Sequence, residues 1–157
     1  MAQPTKQQWE EIKHKLSGPY GTAYLKCDDY IISAQVEQSK MKLVVSIYVN
    51  GWIKGQDLWR GKESKINQMG DIARRFHCCH RISVPAKTVT LNIKILGKKQ
   101  CKEKGCNEAR VWTYPQFGTP GAFIAHLKKH NPSIEVLDYL TYRQLMDALP
   151  KEAEDKT

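Results

Sequence analysis

Apolar and polar positions alternate along this chain with two different periods. Trp9, Ile12 and Leu16 fall three and four residues apart, the spacing that keeps side chains on one face of a helix. Thr5-Lys-Gln-Gln8 ahead of them reads as a capping box, in which the Thr hydroxyl and the Gln amide satisfy each other's backbone N–H groups. The pattern predicts a helix over residues 5–17, stopped by Ser17-Gly18-Pro19. The period then changes to two. Ala23, Leu25 and Cys27 predict one strand in Tyr20–Cys27, and Ile32, Ala34 and Val36 a second in Tyr30–Val36, with Asp28-Asp29 as the turn between them. Met41, Leu43, Val45, Ile47 and Val49 define one face of a third strand, and Lys42, Val44, Ser46 and Tyr48 the other. Asn50-Gly51 is a strong hairpin signal, because a type I′ turn needs positive φ at both central residues. Trp52-Ile53 is therefore expected to begin a fourth strand of an antiparallel meander.

Beyond the meander the pattern becomes helical and less even. Ile66, Met69, Ile72, Ala73 and Phe76 form a stripe that predicts a helix within residues 60–82, although Gly70 inside it costs about 1 kcal/mol relative to Ala. Residues 87–96 fit two readings: Val89, Leu91, Ile93 and Ile95 alternate as in a strand, while Val89, Ile93 and Leu96 fit a helix. Residues 97–105 read as a basic loop, and Arg110–Tyr114 as a short strand. Thr119-Pro120 has the form of an N-cap followed by Pro at the first helical position, opening a helix to His130 that Asn131-Pro132 ends. Thr141-Tyr-Arg-Gln144 reads as a second capping box before Leu145, Met146 and Leu149. The expected architecture is α+β: an antiparallel β-meander with an N-terminal helix, a basic helical middle segment and C-terminal helices. It forms a single domain over residues 1–150, with residues 151–157 as a polar tail.

Charge divides the chain differently from hydropathy. Thirteen Lys and Arg lie in residues 60–110: Arg60, Lys62, Lys65, Arg74, Arg75, Arg81, Lys87, Lys94, Lys98, Lys99, Lys102, Lys104 and Arg110. Four acids accompany them, so this third holds the whole +9 of the protein while the remainder is balanced. A local excess of one sign points to a polyanionic partner. Arg60, Lys62, Lys65, Arg74, Arg75, Arg81, Lys98, Lys99, Lys102, Lys104 and Arg110 are the candidate contacts to nucleic acid or to a host nucleoprotein. Trp52, Trp59, Trp112 and Tyr114 border the basic segment and are candidate platforms for bases, with core packing as the alternative role. No apolar run approaches the ~18 residues of a membrane span, and the N-terminus lacks the apolar core of a signal peptide. Five cysteines, an odd number, fit a reducing cytoplasm.

Sites for chemistry are few. Cys101 and Cys106, separated by four residues, and His126 and His130, separated by three, have spacings found in zinc sites. The nineteen residues between the pairs exceed the ~12 of a common finger and include Pro115 and Gly118-Thr-Pro-Gly121. Incidental thiols and helix-border imidazoles are the alternative. The run His77-Cys78-Cys79-His80 points its side chains in diverging directions on any regular backbone. Neither a nucleophile elbow nor a phosphate-binding glycine loop is present, and no catalytic residue is assigned; the expectation is a protein that binds rather than catalyses.

The stretch from Tyr20 to Ile32, continuing through Lys42–Gly55, resembles small accessory proteins of tailed bacteriophages and prophages, as does Gly118–His130 with its Ala125-His126-Leu127-Lys128-Lys129. The resemblance spans roughly residues 8–137 and carries no catalytic residue. It implies a setting, the cytoplasm of a bacterial host, and a role such as disabling an anti-phage defence, for instance a CRISPR complex. The expected function is that of a non-enzymatic binding protein without a cofactor, acting through its basic surface. The alternatives are a zinc-stabilised nucleic-acid-binding regulator and an inhibitor of a host protein acting through an apolar patch.

Overall fold

The computed structural model describes residues 3–149, so the 151–157 tail lies outside the described residues. In chain order the elements are α1 (Lys6–Lys15), β1 (Thr22–Cys27), β2 (Tyr30–Ser39), β3 (Lys42–Val49), β4 (Arg60–Lys62), α2 (Asp71–Phe76), β5 (Cys78–Ile82), α3 (Ala86–Leu96), α4 (Lys98–Lys104), β6 (Arg110–Tyr114), β7 (Gln116–Phe117), α5 (Pro120–His130), β8 (Ile134–Leu137) and α6 (Tyr139–Ala148). The fold is α+β, with antiparallel sheets, an N-terminal helix and C-terminal helices. The chain divides into two compact units. One joins Met1–Ile53 to Gln116–Thr157, and the other is Lys54–Pro115. The strands of the second unit, β4, β5 and β6, pair with one another in a sheet of their own.

The first unit is a five-stranded sheet in the order β7-β3-β2-β1-β8. Its two central hairpins close with two-residue turns. Cys27 pairs with Tyr30 around Asp28, whose φ is 53°, and Ser39 pairs with Lys42 around Lys40, whose φ is 55°. Met41 therefore sits in a turn, 96% exposed, rather than on the strand face expected for it. Leu43 beside it is exposed as well and Val36 only half-buried, while Ala23, Leu25, Cys27, Ile32, Ala34, Val45, Ile47, Val49, Phe117 and Ile134 form one buried face. Helices α1 and α5 turn Trp9, Ile12, Leu16, Phe123, Ile124 and Leu127 into the same core. Burying each large aliphatic or aromatic side chain contributes about 1.5–3 kcal/mol, offset by the entropy of ordering it. The capping box of α1 forms as read: Gln8 N donates to Thr5 Oγ1 at 3.2 Å and Thr5 N to Gln8 Oε1 at 2.9 Å. On the other face α6 covers β1 and β2, with Tyr142 stacked on Tyr24 at 4.3 Å between centroids. The cap of α6 is Asp138, whose carboxylate accepts Thr141 N–H at 2.7 Å, and not Thr141 itself. Asp138 precedes the helix by one residue, so the box read from Thr141 began a turn too late.

The fourth strand of the meander is split. Asn50 and Gly51 adopt φ of 52° and 84°, and Val49 and Trp52 exchange two backbone hydrogen bonds of 3.1 Å, closing the turn as expected. Pairing then stops at that bridge, because Lys54-Gly55-Gln56-Asp57 lacks an apolar alternation and coils into a 3-10 turn at Gly55–Asp57. The same edge of β3 is taken up again by β7, with Gln116 opposite Ser46 and Phe117 opposite Val45.

The second unit departs further from the pattern. The stripe from Ile66 to Phe76 is not one helix: β4 comes first, a 3-10 stretch covers Glu63–Gln68, and α2 starts only after Gly70, its N-cap in extended backbone. Glycine costs more in a helix interior than at such a boundary. Residues 86–96 resolve the open alternative as helix α3, and the expected basic loop is helix α4, closed by Gly105 at φ 62°. Lys, Gln and Glu propagate a helix without needing an apolar stripe. The three-stranded sheet runs β4-β6-β5 with β6 central. Val111 and Thr113 of β6 are buried, and Thr113 Oγ1 accepts Trp59 N–H at 2.7 Å. A Cβ at Gly61 would come within 2.7 Å of the Trp59 ring, so a larger residue there would have to displace that ring.

Candidate nucleic-acid interface

Alternation along β6 decides what the second unit presents. With Val111 and Thr113 inward, Arg110, Trp112 and Tyr114 stand on the opposite face. Register adds their neighbours. Trp112 is flanked by Arg60 of β4 and His80 of β5, Arg110 by Lys62 and Ile82, and Tyr114 by Cys78. The Arg60 guanidinium lies 4.8 Å from the Trp112 ring centroid, a cation–π contact. His80 meets Tyr114 edge to face at 5.0 Å. One face of a small sheet thus carries two aromatic rings, an imidazole and three cations. The main-chain groups of β6 are satisfied by strands on both sides, so this face presents side chains rather than an edge.

A cavity of about 390 Å³ opens beside the Lys62–Arg110 pair, bounded by Trp112, Lys104, Glu108 and Pro85. Lys62 Nζ donates to the Lys104 carbonyl at 2.7 Å, which fixes its ammonium at the wall. Glu108 accepts the Ser64 backbone N–H at 2.5 Å. The Ser64 hydrogen bonds, with Lys62 and Lys65 nearby, hold its carboxyl below the usual carboxylate range, so it stays ionised at neutral pH.

The other predicted contacts are distributed elsewhere on this unit. Arg75 is buried, paired with Asp71 at 3.5 Å and placed over the Phe76 ring, so its charge serves the fold rather than a surface contact. Arg74 bonds the same carboxylate at 2.5 Å. Arg81 falls on the Val111 face of the ladder and pairs with Glu63 at 3.0 Å. Lys65 is exposed on the 3-10 stretch, and Lys98, Lys99, Lys102 and Lys104 are exposed on α4. Trp59 is half-buried, its ring beside Gly61. Trp52 is 68% exposed but belongs to the first unit. His80, Ile82 and Glu108 were missed as site residues. Reading residues 60–82 as a helix hid β4 and β5, and with them the alternation His80, Ile82 that places both beside β6.

The zinc candidates are divided between the two units. Cys101 and Cys106 belong to the second unit, His126 and His130 to the first, where the two imidazoles lie 4.3 Å apart. Cys106 Sγ donates to the Cys101 carbonyl at 3.5 Å. The hydrogen bond with Cys106, then burial, push the Cys101 thiol above its ordinary value. Among the described residues no three His, Cys, Asp or Glu side chains are grouped to hold a metal ion. In the His77–His80 run, His77 is buried, and Cys78 and His80 share the open face while Cys79 does not. No helix among the described residues is long and apolar enough to cross a membrane.

Compared with protein-family models, with curated proteins and with solved structures, the chain matches none.

Proposed function

We propose that Lys54–Pro115 is a single-strand nucleic-acid-binding unit and that the open face of its sheet is the platform. The observation that carries the reading is the cross-strand row Arg60–Trp112–His80 beside Tyr114 and the Lys62–Arg110 pair. Aromatic faces stack bases of any sequence, and cations alongside neutralise the backbone. The platform needs no catalytic group, and the protein acts by occupying the strand. The proposed setting is a bacterial host, with the target either bare strand or the strand exposed in a defence nucleoprotein. Fluorescence anisotropy of a labelled single strand and of its duplex, with wild type and with Trp112→Ala and Tyr114→Ala, tests it. Each stacked base lost costs about 1–3 kcal/mol. A duplex bound as tightly as the single strand, or aromatic variants that bind like wild type while remaining folded by circular dichroism, rules the platform out.

A second reading has its own observation. Helix α3 buries no residue, and Leu91 and Ile95 are exposed to 53% and 69%. Such a surface favours a protein target. Capture that survives nuclease and is lost with Leu91→Asp and Ile95→Asp would support it over the platform.

A further inference from the structure

The Lys62–Arg110 pair is a costly arrangement in an unliganded sheet. Like charges directly opposite on neighbouring strands destabilise the pairing, and here both border one cavity. Lys104 adds a third cation to that cavity, and Glu108, held ionised by Ser64, a single anion. The charged lining therefore sums to two positive charges. An internal phosphodiester brings one negative charge, whereas a phosphomonoester brings ~2 at neutral pH, with its second pKa near ~6. Trp112 supplies an aromatic wall, so the occupant that matches both features has a ring and a phosphomonoester. The volume, about 390 Å³, lies in the range of small-molecule sites.

We infer that this cavity takes a nucleotide bearing a phosphomonoester, its base against Trp112 and its phosphate among Lys62, Lys104 and Arg110, so that the protein favours phosphorylated strand ends. The inference deepens the platform reading, because Trp112 borders both the open face and the cavity. A terminal nucleotide and a free mononucleotide share the chemistry, and the assay separates them.

Labelled oligonucleotides of about ten residues, a length within the usual single-strand site sizes, are compared with 5′-phosphate, 3′-phosphate and hydroxyl ends. A nucleoside monophosphate and its nucleoside serve as competitors. The expected result is about tenfold tighter binding of one phosphorylated end, a factor equal to ~1.4 kcal/mol. Lys104→Gln reduces that ratio, and so does lowering the pH below about 6, where the monoester takes up a proton and falls from two negative charges to one. Thermal melting of the variant confirms that it is folded. If all ends bind equally and the monophosphate competes no better than the nucleoside, the cavity assignment is wrong while the platform stands. If no oligonucleotide binds but the monophosphate does, and more tightly than the nucleoside, the platform is wrong and the cavity holds a free nucleotide. If neither binds, both are wrong.

Discussion

Three cations on the open sheet face set a measurable salt dependence. Arg60, Lys62 and Arg110 stand beside Trp112, and each that neutralises a phosphate of a single strand adds about 0.7 to the slope of log K against log salt. Three contacts give a slope near about −2.1, so affinity for a hydroxyl-ended strand falls about twentyfold between about 50 and about 200 mM salt. Arg60→Gln with Arg110→Gln removes two contacts, and the slope flattens to about −0.7, a loss of only about threefold over the same range. Trp112→Ala acts differently: stacking is uncharged, so it lowers affinity at every salt concentration by a similar factor and leaves most of the slope in place. Arg74→Gln with Lys99→Gln is the control. Arg74 is already paired with Asp71, and Lys99 sits on α4 outside the row. Anisotropy titrations across a salt series give all four slopes. A control pair that flattens the slope as much as the Arg60 and Arg110 pair would show that the charge acts diffusely, and the reasoning from the sheet face would fail.

Two other expectations concern the scaffold. His77 is 3% exposed with Nδ1 buried and unpartnered, and burial outweighs the nearby Asp57 to lower its pKa from 6.5. Below that value the unfolded chain takes up the proton first, so the stability of the protonless imidazole is present at neutral pH and is lost as pH falls; His77→Leu should melt with a smaller drop between about pH 7 and about pH 5 than wild type, and an equal drop would contradict the assignment. Replacing residues 54–115 by a single Thr should leave a folded first unit without the salt-dependent binding: the junction brings Gln116 back opposite Ser46 in the register set by Trp52 opposite Val49, and a variant with no cooperative melting transition would refute this.

Elements were legible where a local rule had no competitor. Thr5-Lys-Gln-Gln8, Asn50-Gly51 and Thr119-Pro120 each satisfy backbone groups within a few residues, and each forms as its residues dictate. Ile134–Leu137 was not seen because four residues between Pro132 and a helix cap are too few to show a period; the strand exists because β1 offers an unpaired edge. Helix α4 has no apolar stripe, and the Ile66–Phe76 stripe was interrupted at Gly70 by the demands of a sheet whose central strand lies some forty residues downstream. Of the site, the cations and the aromatics were legible as a composition. Their arrangement was not, since it depends on the pairing of β4 and β5 with β6, and pairing between distant segments leaves no short-range mark in sequence.

The charge boundary coincides with a structural one. Lys54–Pro115 contains fourteen Lys and Arg against five acids, and the first unit eleven of each, so the net +9 belongs to one compact unit. That unit enters the chain in the middle of a strand. Trp52 and β7 occupy the same edge of β3, at Val49 and at Ser46, in positions that one unbroken strand would also fill. The register of the meander is thus the one that Trp52 and β7 would keep if joined directly. Within the unit, Asp71 and Glu63 draw Arg74, Arg75 and Arg81 into ion pairs, while Arg60, Lys62 and Arg110 line up with an aromatic strand. Charge that served only to keep the protein in solution would gain nothing from placing Lys62 opposite Arg110, an arrangement that costs stability and that the single carboxylate of Glu108 offsets only in part.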